Sequence, residues 1–203
     1  MKIIELFEAD EDEQQDREIE LMHAIKTIKQ DCQPFLEQFE GRFLFRGSNS
    51  FVTGKGPTKF FQKRSVRTDR KPMNTDDDIH KVTDDWFNEK FGIRGRSGAM
   101  FATGNFGEAR AYGTVYCIFP IGDFKFVWSP VVKDLFVAGR DINSAKDAVP
   151  YLDKAGYRDT DFGKAIKSGK EIMIACKEYY MLLAQTVGDR YQILNMLGDD
   201  EDN

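Results

Sequence analysis

Three short runs, AMFAT (99–103), TVYCIFPI (114–121) and FKFVW (124–128), constrain this chain more than any other feature. Each is rich in β-branched and aromatic residues, each is bounded by glycine, and none is long enough for a buried helix, so each is expected to be a strand. The end of the chain returns to the same texture in KEIMIAC, EYYMLL and RYQILNML, and residues 42–46 suggest one more short strand. Helices are expected between them. Residues 12–31 place Ile19, Met22, Ile25 and Ile28 at spacings of three, as on one apolar helical face, before Pro34 interrupts and Phe35, Leu36 and Phe39 continue it. Thr75-Asp-Asp-Asp opens a helix with Ile79, Val82, Trp86 and Phe87 on one side; Thr75 or an adjacent Asp is its cap and Gly92 its stop. NFGEARAYG is read as a short helix, Ser129-Pro130 as a helix-opening pair, and 143–168 as mostly helical or irregular. Strands at the start, middle and end with helices between predict an α+β fold, not a regular alternation around a parallel sheet.

At 203 residues the chain fits one domain with a real core. Seventeen phenylalanines and seven tyrosines against six prolines argue against disorder. No run approaches the roughly 20 apolar residues of a membrane helix, and the N-terminus lacks a secretory apolar stretch. No membrane association is therefore expected. Cys32, Cys117 and Cys176 are odd in number and widely spaced, which predicts a reducing, cytoplasmic setting. His23 and His80 stand in no ligand spacing, so no metal is expected. Walker, dinucleotide-fold and serine-hydrolase motifs are missing.

The net charge of −5 is unevenly spread. Residues 1–20 hold nine acids and two bases, and 199–202 are all acidic, whereas GKGPTKFFQKRSVRTDRKP (54–72) holds seven bases and one acid. That segment is a candidate for an anionic ligand, a nucleic acid or an acidic partner, with Lys63, Arg64, Arg67 and Arg70 as candidate substrate contacts. A solvated loop explains it equally well. Phe60-Phe61 within it either stack on a base or anchor the segment to the core, and anchoring is the favoured reading.

Three pieces carry chemistry: Phe45-Arg46-Gly47 at a strand end, Met100-Phe101-Ala102-Thr103-Gly104 leading to the helix of Glu108 to Tyr112, and Lys170-Glu171-Ile172-Met173-Ile174. In this order they resemble the Arg–Ser/Thr–Glu signature of the arginine-serine-glutamate class of mono-ADP-ribosyltransferases, most closely phage-encoded members that modify host components. The blocks RSGAMFATGNFGEARAYGTVYCIF and EIMIACKEYYML look like that family's central and catalytic-glutamate regions. The likeness covers roughly residues 42–186.

The resemblance implies a split β-sandwich, with a helical N-terminal segment (1–41) packed on the same domain, a catalytic domain (42–198) and an acidic tail (199–203). It implies NAD as co-substrate, a host protein or nucleic acid as acceptor, and the host cytoplasm as the setting. Arg46, Thr103 and Glu171 would be catalytic, and Arg46, Gly47, Phe101, Thr103 and Tyr112 would hold NAD. The residue chemistry agrees. A guanidinium offers a rigid fork to phosphate oxygens, Gly47 permits close approach, and a carboxylate offsets charge as nicotinamide leaves an oxocarbenium-like centre. Taken singly, each has a more ordinary reading that is the better one: Arg46 as a snorkelling or paired surface arginine, Thr103 as a strand or cap residue, Glu171 as a solvent-facing edge residue, and Phe101 and Tyr112 as core aromatics. The sequence departs from the family at Gly169, where arginine-modifying members carry an acid or glutamine two residues before the catalytic glutamate. Two further readings are an NAD glycohydrolase, with water as acceptor, and a non-catalytic module that binds nucleic acid or protein.

Overall fold

A computed structural model of the chain describes residues 2–48, 59–71, 75–135 and 142–198, with side chains from residue 14 onward. Among these residues the elements run α1 (Lys2–Asp31), α2 (Gln33–Leu36), β1 (Phe45–Ser48), β2 (Phe61–Ser65), α3 (Asp77–Phe91), β3 (Met100–Thr103) and α4 (Phe106–Arg110). They continue with β4 (Thr114–Pro120), β5 (Lys125–Trp128), α5 (Ala145–Lys154), α6 (Phe162–Ser168), β6 (Glu171–Ala175), β7 (Glu178–Leu183) and α7 (Val187–Gly198). The fold is α+β. The acidic tail and residues 54–58 and 72 of the basic segment lie outside the described residues.

The strands form one antiparallel sheet in the order β2-β7-β4-β1-β3-β6-β5. Its two parts are joined at one place: β1 meets β3 through the single register pair Phe45↔Thr103. By contrast β1 pairs with β4 over four residues, and β3 pairs with β6 over four. Beyond the joint β1 and β3 are free to diverge.

Alternation along the strands builds two cores. Ile172 and Ile174 of β6, with Met100 and Ala102 of β3, face a large cluster that holds α1, α2, β4 and β7. Met173 faces a second cluster with Val127 of β5, Trp86 and Phe87 of α3 and Leu152 of α5, and Phe101 packs at its margin. Side-chain period 2 then dictates that Glu171 shares the face of Met173, and Thr103 that of Phe101. Thr103 and Glu171 are also direct register partners. A polar pair therefore stands at the rim of the second apolar cluster.

Several expectations need correction. RYQILNML is not a strand; it lies within α7. A run that short and apolar suits either state, and its residues Ile193 and Leu194 pack on the core from a helix. The basic segment is not simply a loop, because Phe61–Ser65 forms edge strand β2 against β7. Its outward lysine and arginine side chains keep that edge soluble. Spacings of three misplace the α1 face, since each step leaves about 60° of drift. Ile25 and Ile28 are buried beside Leu21 and Ala24, whereas Ile19 and Met22 are 53% and 55% exposed. Ser129 does accept from the N–H groups of Val131 and Val132, but residues 130–134 form bends, not a helix. Arg46 is the second residue of its strand and pairs with Tyr116, not a strand end.

The cap and stop expected of α3 hold. Asp76 caps α3 by accepting from Asp78 and Ile79 N–H, and Gly92 ends it in the left-handed region at φ 67°. The three cysteines are unbridged, and burial pushes the Cys117 thiol well above its usual range. Phe60 and Phe61 anchor: Arg17 lies 5.5 Å over the Phe60 ring, and Phe61 stacks on Tyr180 at 4.9 Å. No described helix is long and apolar enough to cross a membrane.

Candidate active site

A cleft of about 450 Å³ is lined by residues of both β1 and β3 around their single register pair. Arg46, Gly47, Phe101, Thr103, Tyr112 and Glu171 all line it. Its volume lies in the range of small-molecule and cofactor sites. Of the four basic candidates, only Arg70 reaches it. Lys63 pairs with Glu178 at 2.8 Å, Arg64 donates to Gln62, and Arg67 pairs with Asp69, all on the exposed face of the β2 region.

Arg46 crosses the gap between the strands, its Nη1 donating to the Phe101 carbonyl at 2.6 Å. One arm of the guanidinium is thereby fixed and the remaining donors are left in a defined plane. Arg70 lies over the Phe101 ring, 5.1 Å from its centroid. Burial, then the nearby Arg46, lowers the Arg70 pKa to about 10, with Arg67 and Arg96 adding to the effect. Three arginines thus crowd one wall, an arrangement that a bound anion relieves.

The sequence gives Arg96 no role of its own; it only opens the block RSGAMFATGNFGEARAYGTVYCIF. Its position comes from Asp84, a buried acid on α3. Asp84 Oδ1 accepts from the backbone N–H of Arg96 at 2.6 Å and of Ser97 at 3.2 Å, so one carboxylate holds the loop that carries Arg96 into the cleft. His80, one turn earlier, also lines the cleft; its Nε2 lies 3.8 Å from Asp84 Oδ2. The His80 Nδ1 is buried without a hydrogen-bond partner among the described residues, an atom that a ligand group can satisfy.

Gly47 proves to be needed by the fold. A Cβ there would run into the Ala109 carbonyl oxygen and lie 2.7 Å from Tyr112 Cβ, so the missing side chain lets α4 pack onto β1. The close approach expected of a ligand is made by a helix. Tyr112 is 61% exposed at the rim, and its hydroxyl donates to Asp134 Oδ2 at 3.2 Å. Glu108 and Lys133 form a 2.8 Å ion pair that ties α4 to the 129–135 segment.

Thr103 is held by two bonds. Its hydroxyl donates to the Gly169 carbonyl at 2.7 Å and accepts from the Asn105 N–H at 3.1 Å. With its proton committed, the oxygen can meet a ligand only as an acceptor. Gly169 closes α6 in the left-handed region at φ 66°, with the Asn105 Cβ only 3.2 Å from where a Cβ would stand. A glutamate or glutamine at that position would be strained.

Glu171 sits on the cleft floor, partly open to the surface but surrounded by packed groups. Its Oε1 accepts from the Leu135 N–H at 3.2 Å, and its own N–H donates to the Lys133 carbonyl at 2.9 Å. Burial raises its pKa to about 7, the nearby Asp134 adds to the rise, and the Leu135 N–H and Arg96 work against it. Carboxyls poised near neutrality in a cleft, as Glu171 is beside Arg96, cluster at functional sites.

Comparison with protein-family models, with curated protein sequences and with solved structures finds no match to this chain.

Proposed function

We propose that the protein is an NAD-dependent mono-ADP-ribosyltransferase, moving ADP-ribose from NAD to a macromolecular acceptor with release of nicotinamide. One observation carries the reading: Arg46, Thr103 and Glu171, spread over some 125 positions, line a single cleft, with Thr103 directly opposite Glu171. The single-pair joint between β1 and β3 supports a split-sheet architecture of the kind the resemblance implies, with the cleft at the split.

On this reading the arginine wall takes the pyrophosphate, Arg46 by its free donors and Arg70 and Arg96 by charge. Thr103 accepts a hydrogen bond from a ribose hydroxyl. Glu171, once ionised, accepts from the ribose 2′-hydroxyl and stabilises positive charge at C1′ as the bond to nicotinamide breaks. A preorganised carboxylate in a site shielded from water supplies on the order of 3–4 kcal/mol of transition-state stabilisation. The half-buried Phe101 and the rim Tyr112 give flat apolar walls for the rings of the dinucleotide.

The test is incubation of the purified protein with adenylate-labelled NAD and a cell lysate, followed by separate protease and nuclease digestion of the labelled material. Label in a macromolecule together with free nicotinamide is expected, and Glu171→Gln removes both while NAD still binds. NAD left unbound and unconsumed overturns the reading. Free ADP-ribose without a labelled macromolecule replaces it with NAD hydrolysis.

A further inference from the structure

A bound pyrophosphate would leave one corner of the cleft with unbalanced charge. Arg46, Arg70, Lys71 and Arg96 all line the cleft, and His80 stands with them. Among the described residues, none of Arg70, Lys71 and Arg96 forms an ion pair with a carboxylate. Lys133, by contrast, is already paired with Glu108 at 2.8 Å. The corner is held together by its own hydrogen bonds. The buried Asp84 carboxylate accepts from the Arg96 and Ser97 N–H groups, and the Ser97 carbonyl accepts from the Arg70 N–H at 3.4 Å. One turn of chain therefore carries Arg96 and fastens the backbone of Arg70. Asp84 Oδ2 also lies 3.8 Å from His80 Nε2, which leaves Nδ1 as the imidazole nitrogen without a partner among the described residues.

We propose that this corner is a subsite for a phosphate monoester, and that the dinucleotide the cleft prefers is NADP, held through its 2′-phosphate. This rests on the transferase reading above and narrows its substrate. Each phosphate of a pyrophosphate carries a single negative charge, so NAD matches only part of the charge on Arg46, Arg70, Lys71 and Arg96. A phosphate monoester adds a charge of about −1.5 to −2 near pH 7, with three acceptor oxygens. Guanidinium groups meet such oxygens with paired donors. An imidazolium whose Nε2 faces a carboxylate still offers its Nδ1–H. Arg46, tied to the Phe101 carbonyl, stays with the pyrophosphate. Arg70 and Arg96 serve the pyrophosphate by charge and the monoester by their donors, His80 completes the ring of donors, and the exposed Lys71 adds charge. The bond broken is the one broken in NAD, and the group carried to the acceptor keeps its 2′-phosphate.

Calorimetric titration of NADP and of NAD into the full chain, as Glu171→Gln to prevent turnover, compares the two ligands at low and at high salt. NADP is expected to bind at least about tenfold tighter at low salt, with the preference shrinking at high salt. The wild type is expected to show the same order in kcat/KM for nicotinamide release. His80→Ala and Arg96→Gln are each expected to lower the preference for NADP over NAD at least about threefold, with partial recovery in His80→Asn, whose amide can donate where Nδ1 stands. Equal or weaker binding of NADP by a protein that binds NAD overturns the proposal and leaves the transferase reading standing. A preference for NADP that is unchanged in both His80→Ala and Arg96→Gln also overturns it, because the monoester then lies elsewhere. A protein that binds neither dinucleotide removes the transferase reading itself, and this assignment with it.

Discussion

Thr103 and Glu171 face one another as register partners in the β3–β6 ladder, and the Thr103 hydroxyl donates to the carbonyl of Gly169, two residues before Glu171. The threonine thus braces the backbone turn from which the glutamate emerges. Strand pairing fixes which face both side chains occupy, and the apolar cluster around Phe87 and Met173 ends just short of them. The carboxyl is consequently held where burial raises its pKa but a ligand can still reach it.

From this follows a stability change in Glu171→Gln. Between the ordinary value of 4.5 and the folded value of about 7, the folded chain holds a proton at Glu171 that the unfolded chain has lost. Ionising the group therefore opposes folding, and its effect on stability grows more unfavourable as pH rises through that window. Glu171→Gln is expected to be more stable at pH 8 by on the order of 1–3 kcal/mol, with little gain at pH 4. Urea denaturation at the two pH values checks this; equal gains at both would contradict the burial of the charge.

On the transferase reading proposed above, the same group would set a pH profile for NAD cleavage. If the carboxylate alone stabilises charge at C1′, kcat/KM is expected to rise about tenfold per pH unit below about 7 and to level off above it. Nicotinamide release between pH 5 and 9 gives the curve. A profile flat through pH 6 to 8 would remove Glu171 from the chemistry.

Arg46→Lys keeps a positive charge but loses the fork. An ammonium cannot both hold the Phe101 carbonyl, now bonded at 2.6 Å, and present a fixed pair of donors to a phosphate. Weakening of NAD binding by about 10- to 100-fold is expected, from the roughly 1.5–3 kcal/mol typical of charged hydrogen bonds. Calorimetric titration of NAD into Glu171→Gln and the double variant isolates binding from turnover. Equal affinity in the two would show that Arg46 does not touch the dinucleotide.

Gly47→Ala tests packing where the obstacle is a backbone carbonyl. The added methyl meets the Ala109 oxygen, and no side-chain rotation relieves that contact. A loss of about 1–3 kcal/mol is expected, read as a lower urea midpoint with an unchanged slope. Gly122→Ala is a useful contrast, because space around it is open and only its φ of 63° opposes the change.

Asp84→Asn probes the loop that carries Arg96. Asparagine offers one acceptor oxygen and one NH₂ group where Arg96 N–H and Ser97 N–H both point at the present carboxylate. Loss of about 1–3 kcal/mol is expected, a fall of roughly 2–10 °C in Tm for a chain of this size, together with weaker NAD binding. A variant that melts earlier but binds NAD as the wild type does would separate the loop from the ligand.

Local pattern determined much of this protein. Runs rich in β-branched and aromatic residues announced β3 to β7, and the Asp-rich turn with Gly92 bounded α3, because strand propensity and capping are short-range effects written in neighbouring residues. The likeness carried by Phe45-Arg46-Gly47, the Thr103 block and Glu171 also named six cleft residues in advance: Arg46, Gly47, Phe101, Thr103, Tyr112 and Glu171. What lay beyond the sequence was set by pairing between distant segments. The apolar run at 190–197 is a helix that lays Ile193 and Leu194 on the core. Lys63, Arg64 and Arg67 turned away from the cleft while Arg70 entered it, since β2 runs along the β7 edge and only its downstream end approaches Phe101. Asp134, Arg96 and Asp84 became site residues solely through contacts made across 12 to 36 positions of chain. No single segment contains that information: where an acid finds its N–H donors, and which charges it faces, is decided only when the sheet has closed.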